Sequence, residues 1–482
     1  MFYPTCAWCI DNNGKEINTE ETKRLVSVIP SERQIRFMEM EYYNFIHFGI
    51  NTFYNREWGD GKEDISRFNP KKLDTDQWCE VLKKTGSKGI IITAKHHDGF
   101  CLFDSKYTDH CVRNTPFKKD IVKLLSESCK KYGLKLGVYL SPWDRHEKTY
   151  GTDEYNDYFV NQLTELCTNY GELFCLWFDG ACGEGKNGKK QVYDWERYYS
   201  VIRKLQPDAV INICGPDVRW IGNEGGRVRK SEWSVIPEIM DSNEAVAGNS
   251  QQGADETEKM AKKLDDRDED LGSRELLKNY SKLTFKPAEA DVSINMGWFH
   301  TNKPFAYAKK GRSAEELAKI YFDSVGGNAS MLLNVPPDRN GLIGKSEIKR
   351  LEKFTRLIKS PFEKEIRAKL NAVTTQGEQK RINEGYHHFA DNEAAISITS
   401  DSVKRVGVIR LREDIRSSQR VEAFRVLVRA EDGTYFPVYD GTVIGSGKII
   451  KFDYPVETDE ILILPTQARA NPVLGDIHIY EA

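Results

Sequence analysis

No apolar run in these 482 residues approaches the length needed to cross a bilayer, so no transmembrane helix is expected. Charge of one sign is also missing: 70 Lys and Arg stand against 73 Asp and Glu, a net charge of −3. That balance supplies no basic field for nucleic acid or an anionic membrane, and neither is expected as a partner. Cysteine is absent beyond Cys214; all ten lie between Cys6 and Cys214. Cys79, Cys129, Cys167 and Cys175 fall at apolar positions of expected helices or strands, which reads as buried free thiols in a reducing compartment. Cys6-x-x-Cys9 has no second pair at zinc-ribbon spacing and reads as two ordinary terminal cysteines. The first residues, Met1-Phe2-Tyr3-Pro4-Thr5-Cys6, form neither a basic nor an apolar leader segment. The expected location is the cytoplasm, or the periplasm or medium if a leader was trimmed. No Gly-rich dinucleotide fingerprint or P-loop follows any strand-like run.

Hydrophobic residues at 39% and aromatics at 11% are enough for a folded globular chain, and the length calls for two domains. From about residue 41 the chain alternates strand-like and helix-like segments. The strands read as Asn44–Ile50, Gly89–Ala94, Leu134–Leu140, Leu173–Phe178, Ala209–Ile213, Asp291–Asn295 and Ala329–Val335. Helices read between them over Asp74–Thr85, Asp120–Tyr132, Asp153–Tyr170 and Asp194–Leu205, each opened by an Asp suited to the N-cap. Two of them close on Tyr-Gly, a common C-cap arrangement. Repeated βα units of this kind imply an α/β fold. Polar residues recur at many strand ends rather than at one switch point, which favours a (β/α)8 TIM-like barrel over a doubly wound sheet. The charge-dense block Asp255–Asp270 lacks EF-hand spacing and reads as a solvated surface insertion. An amphipathic segment over Lys345–Ser360 ends at Pro361, and short β-rich runs follow. The expected organisation is a barrel over residues 1–362 and a C-terminal all-β sandwich over 363–482.

Asp179 carries the strongest chemical signal. It ends the run Leu173-Phe174-Cys175-Leu176-Trp177-Phe178, where a barrel enzyme places catalytic groups. Alone it could be a helix cap or a loop aspartate. Three other strand-like runs also end in reactive residues: His47-Phe48-Gly49, Lys95-His96-His97-Asp98 and Tyr139-Leu140-Ser141-Pro142-Trp143-Asp144. In a barrel these converge on one mouth. Imidazoles and carboxylates bond hydroxyls and indole faces pack on sugar C–H faces, so the set suits a polyol substrate. Adjacent strand residues point to opposite faces, so His96 and His97 do not easily chelate one ion unless the strand has already become loop; no HxH or HExxH motif is present, and no catalytic metal is expected. Glycoside cleavage needs a second carboxyl. Candidates are Asp217 and Glu224 in the glycine-rich segment after the fifth strand, Glu57 and Glu289; spacing does not choose among them.

The motifs together resemble those of α-L-fucosidases of glycoside hydrolase family twenty-nine. They are His47-Phe48-Gly49, Ala94-Lys95-His96-His97-Asp98-Gly99-Phe100, Gly137-Val138-Tyr139-Leu140-Ser141, Leu176-Trp177-Phe178-Asp179-Gly180 and Asp291-Val292-Ser293-Ile294. The likeness continues through Asp270-Leu271-Gly272-Ser273-Arg274-Glu275, Gly297-Trp298-Phe299 and Leu332-Leu333-Asn334-Val335-Pro336-Pro337, and so covers most of residues 35–345. The resemblance implies a retaining mechanism without metal or organic cofactor, acting on a fucosylated oligosaccharide or glycoconjugate. It assigns Asp179 as nucleophile and His47, Glu57, Trp58, His96, His97, Tyr139 and Trp177 to the fucose, with Trp298 near its methyl group. Glu224, in Trp220-Ile221-Gly222-Asn223-Glu224-Gly225-Gly226, matches the acid/base of the branch that prefers α-1,3 and α-1,4 linkages. Outer-subsite contacts are expected from Arg227, Arg229 and the Gly183–Lys190 loop. The alternatives are a family member acting on α-1,2 or α-1,6 fucose, and a non-catalytic fucose-binding protein. The second would show loss of Asp179 or of the histidines, and both are present.

Overall fold

The computed structural model describes residues 19–241, 243, 268–303 and 311–482. Cys6, Cys9 and residues 255–267 of the charged block lie outside the described residues. Eight parallel strands form the centre of the molecule. They are β1 (Tyr42–Ile46), β2 (Gly89–Lys95), β3 (Lys135–Leu140), β4 (Leu173–Phe178), β5 (Val210–Ile213) and β6 (Arg219–Trp220), then β9 (Ala288–Ser293) and β10 (Ala329–Asn334). Between β6 and β9 the short antiparallel pair β7 (Val235–Pro237) and β8 (Leu283–Phe285) lies outside the ring. The sheet order is β5-β4-β3-β2-β1-β10-β9-β6, which is chain order around a circle. A bridge between Asn212 and Val218, with Ile213 N donating to Val218 O at 3.1 Å, nearly closes β6 onto β5. Every residue of β1, β2, β4 and β5 is buried, as expected for parallel strands covered on both faces.

Local chemistry explains the helices. Asp74, Asp120 and Asp194 accept backbone N–H bonds from Gln77, Lys123 and Arg197 and so start Thr75–Lys84, Ile121–Tyr132 and Trp195–Leu205. Asp153 precedes Glu154–Asn169 but makes no cap bond, since its own backbone is already helical. Gly133, at φ 66°, ends the second of these helices in the left-handed conformation that glycine tolerates best.

The sixth barrel strand departs from the sequence reading. The segment taken as a loop after the fifth strand contains β6, so Glu224 follows the sixth strand. Two residues are too few for any periodicity to register. The first strand also stops at Ile46, which leaves His47 just beyond the strand end.

After helix Lys345–Lys359 and a turn at Ser360–Phe362, the chain becomes antiparallel β. Two 21-residue strands, Glu393–Glu413 and Lys448–Ala468, organise the sandwich. Breaks in register let the first pair with Lys369–Thr374 at its start and with Val473–Glu481 at its end. Ile396, Ile409, Phe424, Val426, Ile463 and Ile479 belong to a core separate from that of the barrel. Glu41, just before β1, binds both Arg410 and Arg412 at 2.6 and 2.5 Å and ties the two parts together.

Candidate active site

A cavity of about 280 Å³ opens at the carboxyl ends of the barrel strands. It is at the small end of the range for small-molecule sites and matches one sugar ring better than an extended chain. His47, Trp58, His96, His97, Tyr139, Trp177, Asp179, Glu224 and Trp298 all line it. Glu57 does not line it; one of its oxygens accepts the backbone N–H groups of Trp298 (2.8 Å) and Phe299 (3.2 Å). Its role in the geometry is to hold the Trp298 segment over the site.

The histidine tautomers follow from their partners. Asn334 Nδ2 donates to Ser293 Oγ and to the Trp298 carbonyl, which fixes Oδ1 as the acceptor facing His47 Nδ1 at 2.9 Å. His47 therefore carries its proton on Nδ1 and keeps Nε2 as an acceptor. Ser141 Oγ donates to the Trp143 carbonyl and so accepts from His97 Nδ1 at 2.7 Å, leaving His97 Nε2 as an acceptor as well. Burial holds His47 and His97 neutral, both pushed down to about 3, and takes His96 well below 6.5. His96 lies nearly parallel to Tyr139, with ring centroids 5.5 Å apart and planes 10° from parallel.

Asp179 sits one residue past β4. Tyr139 donates to its Oδ2 at 2.9 Å and the Ala181 backbone to its Oδ1 at 2.8 Å. Burial raises this carboxyl above its ordinary value, while the Ala181, Tyr139 and Gly180 donors pull it back. His97 Nε2 lies 3.6 Å from Asp179 Oδ2. With the imidazole neutral, these are two acceptors side by side, each open to a hydroxyl donor of a bound sugar.

Glu224 stands on the rim, exposed as a residue but facing the cavity that it helps to line. Burial, and after it the charge of Asp179, raise its carboxyl; a hydrogen bond with Trp298 and the charge of Arg312 oppose the rise. The push grows when a bound sugar covers the rim.

Trp220 and Asp291 also line the cavity, and neither was assigned to it from the sequence. Trp220 Nε1 donates to Asp291 Oδ1 at 2.7 Å, and burial with the nearby Glu224 keeps Asp291 protonated well above the usual range. The available signal was the spacing of Glu289 and Asp291, two apart on β9 and so on one face. Ile213 is another omission. It lines the cavity with φ 68°, a strained conformation for a β-branched residue that only the surrounding fold can hold.

Three sequence readings need correction. Glu289, a candidate for the second carboxyl, is fully buried under the cavity. It accepts from Tyr43, Trp177 Nε1 (2.7 Å) and Asn212 Nδ2 (2.7 Å), beyond reach of a sugar. Arg229, taken as an outer-subsite contact, is also buried, with its guanidinium on Glu232 at 3.0 Å. The Gly183–Lys190 loop packs on Trp143, whose ring meets both Trp58 and His97, so it supports the rim from behind. Among the described residues, no group of three or more His, Cys, Asp or Glu side chains could hold a metal ion.

The model of the alpha-L-fucosidase family matches residues 25–360, the segment that builds this barrel and its mouth. The chain belongs to that family. It is a glycoside hydrolase of family twenty-nine. Alpha-L-fucosidase 1 of Arabidopsis thaliana is 35% identical over 472 residues, covering 94% of this chain and 87% of the relative. A crystal structure from Bacteroides ovatus ATCC 8483 has a TM-score of 0.83 at 41% identity, over 97% of this chain and 77% of that one. A Ruminococcus gnavus fucosidase of the same family, solved in complex with fucose, has a TM-score of 0.77 at 28% identity, over 94% and 95% of the two chains.

Proposed function

We propose that the enzyme releases terminal α-1,3- or α-1,4-linked L-fucose by double displacement, with Asp179 as nucleophile and Glu224 as acid and base. One observation carries this reading: both carboxyls face a single-sugar cavity, and the charge of Asp179 helps keep the proton on Glu224. Ionised Asp179 attacks the anomeric carbon while Glu224 protonates the departing glycosidic oxygen. The bond to the aglycone breaks as the covalent fucosyl-enzyme forms. Glu224, now a carboxylate, takes a proton from water as it attacks the anomeric carbon; the ester bond to Asp179 breaks, its carboxylate is restored, and the product keeps its anomeric configuration. His47 and His97 accept from sugar hydroxyls and hold the ring for attack, and positioning of this kind lowers such barriers by roughly 7 kcal/mol or more in favourable cases. The linkage preference rests on the sequence around Glu224, whose Trp220–Gly226 pattern resembles the α-1,3/1,4 branch.

Asp179→Ala is the test of the nucleophile. It should stay folded and release no fucose, and azide should restore turnover of an activated fucoside as the β-fucosyl azide. Near-wild-type activity in that variant would end the mechanism. Hydrolysis of a Lewis trisaccharide set against 2′-fucosyllactose decides the linkage, with the first expected to be cleaved and the second left intact.

A further inference from the structure

Glu224 sits at the tip of a loop, and loops do not by themselves hold an acid to the tolerance that proton transfer needs. The tip is stapled by Asn223, whose side chain accepts from Gly225 N and Arg227 N, each at 3.1 Å, and donates to the Arg227 carbonyl at 2.8 Å. The base is closed by Glu232. Its two oxygens take Arg219 and Arg229, and Arg229 reaches back to the Ile221 carbonyl at 3.3 Å. A rigid loop on a mobile base would still carry its carboxylate astray, so the anchoring of that base matters.

The anchors come from the C-terminal sandwich. Arg469, fully buried, places its guanidinium carbon 4.8 Å from the centre of the Trp233 ring. Its Nη2 donates to the Gly272 carbonyl at 2.5 Å and its Nε to Glu422 at 3.0 Å. Gln419 Oε1 accepts Ser234 N at 2.8 Å and Val235 N at 3.4 Å. Ser231 Oγ and Thr442 Oγ1 are 2.7 Å apart, and Val443 packs with Trp233, Ile236 and Leu271. The Asp270–Glu275 motif completes the grip from the other side. A Cβ on Gly272 would lie 2.5 Å from Trp233 Cβ, so only glycine lets the tryptophan seat there. Arg274 then binds Glu422, the same carboxylate that holds Arg469, at 2.9 Å.

We infer that the sandwich is part of the catalytic apparatus, with Arg469, Gln419 and Thr442 acting as positioning residues that hold the Ser231–Val235 base and through it the carboxyl of Glu224. The inference rests on the reading of Glu224 as the acid. None of the three touches the sugar cavity, so their effect must pass through the loop.

The experiment compares kcat/KM of the full-length enzyme on two substrates. A Lewis-type oligosaccharide needs a proton on its leaving group; a dinitrophenyl fucoside does not. Arg469→Met, Gln419→Leu and the milder Thr442→Val are measured with Glu224→Ala alongside, each with a melting curve. A displaced acid should lower kcat/KM on the oligosaccharide by about ten- to a hundred-fold for the two buried substitutions and leave the aryl fucoside within about two-fold. The basic limb of the pH profile should move with it. Equal losses on both substrates, or none, in the folded variants would overturn the inference. Glu224→Ala separates the two readings. If it fails to discriminate between the substrates, the acid assignment falls. If it discriminates and the sandwich variants do not, the assignment stands and the positioning role is wrong. Should the buried variants not fold, Thr442→Val decides by the same comparison, with selective loss on the oligosaccharide as support and its absence as refutation.

Discussion

Tyr139→Phe is the most informative single change at the site, because it removes one oxygen and leaves the ring. The phenol donates to Asp179 at 2.9 Å, while the ring lies near-parallel to His96 and Trp177 at centroid separations of 5.5 and 5.3 Å. The packing platform therefore survives. What is lost is a donor to the ionised carboxylate. Hydrogen bonds to charged groups contribute roughly 1.5–3 kcal/mol, and one pKa unit corresponds to about 1.4 kcal/mol. The Asp179 carboxyl, already raised by burial, should rise further by about one to two pH units. Activity needs the ionised form, so the acid limb of kcat/KM against pH should move up by that amount. At a pH above the shifted limb the loss should be much smaller. The assay is an aryl fucoside followed over about pH 4 to 9, so that leaving-group protonation does not mask the nucleophile. An acid limb that stays in place, or moves down, would refute Asp179 as the group that must ionise or Tyr139 as a donor to its ionised form.

Two further changes test the frame beneath the site. Glu289 is pushed up to about 7 by burial, against an ordinary 4.5, so it stays protonated in the folded chain while the unfolded chain ionises. It therefore costs stability as pH rises from about 4.5 to 7, a cost on the order of 3 kcal/mol, and Glu289→Gln should remove that slope in urea unfolding. The difference between variant and wild type isolates the effect from His47 and His97, which are held near 3 and act with the opposite sign as pH falls below 6.5. A variant slope equal to the wild type would contradict the assignment. Lys95 and Asp144 form an ion pair of 2.9 Å with both side chains fully buried, directly behind His96. Lys95→Met should cost about 3–5 kcal/mol by leaving Asp144 uncompensated, and a loss below about 1 kcal/mol would mean that the pair is not what holds this strand end.

Much of the barrel was legible because its signals are local. The Asp residues at 74, 120 and 194 cap helices through bonds that span three residues, and the buried strands announce themselves by continuous apolar runs. Asp179 was legible for the same reason, as a carboxylate at the end of such a run. β6 was not, because two residues carry no period. Nor was the division of labour on β9, where Glu289 and Asp291 share a face but sit at different depths. One lies under the cavity floor and the other in its wall.

The sequence by itself determined the βα repeat, the polar strand ends, the change to β texture after Pro361 and Asp179 as a carboxylate at a strand end. All of these are set by residues close together in the chain or by motifs of fixed spacing. The tertiary structure alone decided what depends on distant segments meeting. Asn334 and Ser141 set which nitrogen of His47 and His97 is left as an acceptor. Arg229 proved to be a buried brace rather than a substrate contact. The loop of Glu224 is gripped by Gln419 and Arg469, some two hundred positions further along the chain. Spacing in sequence carries no record of such contacts, because they form only when the barrel and the sandwich close on one another.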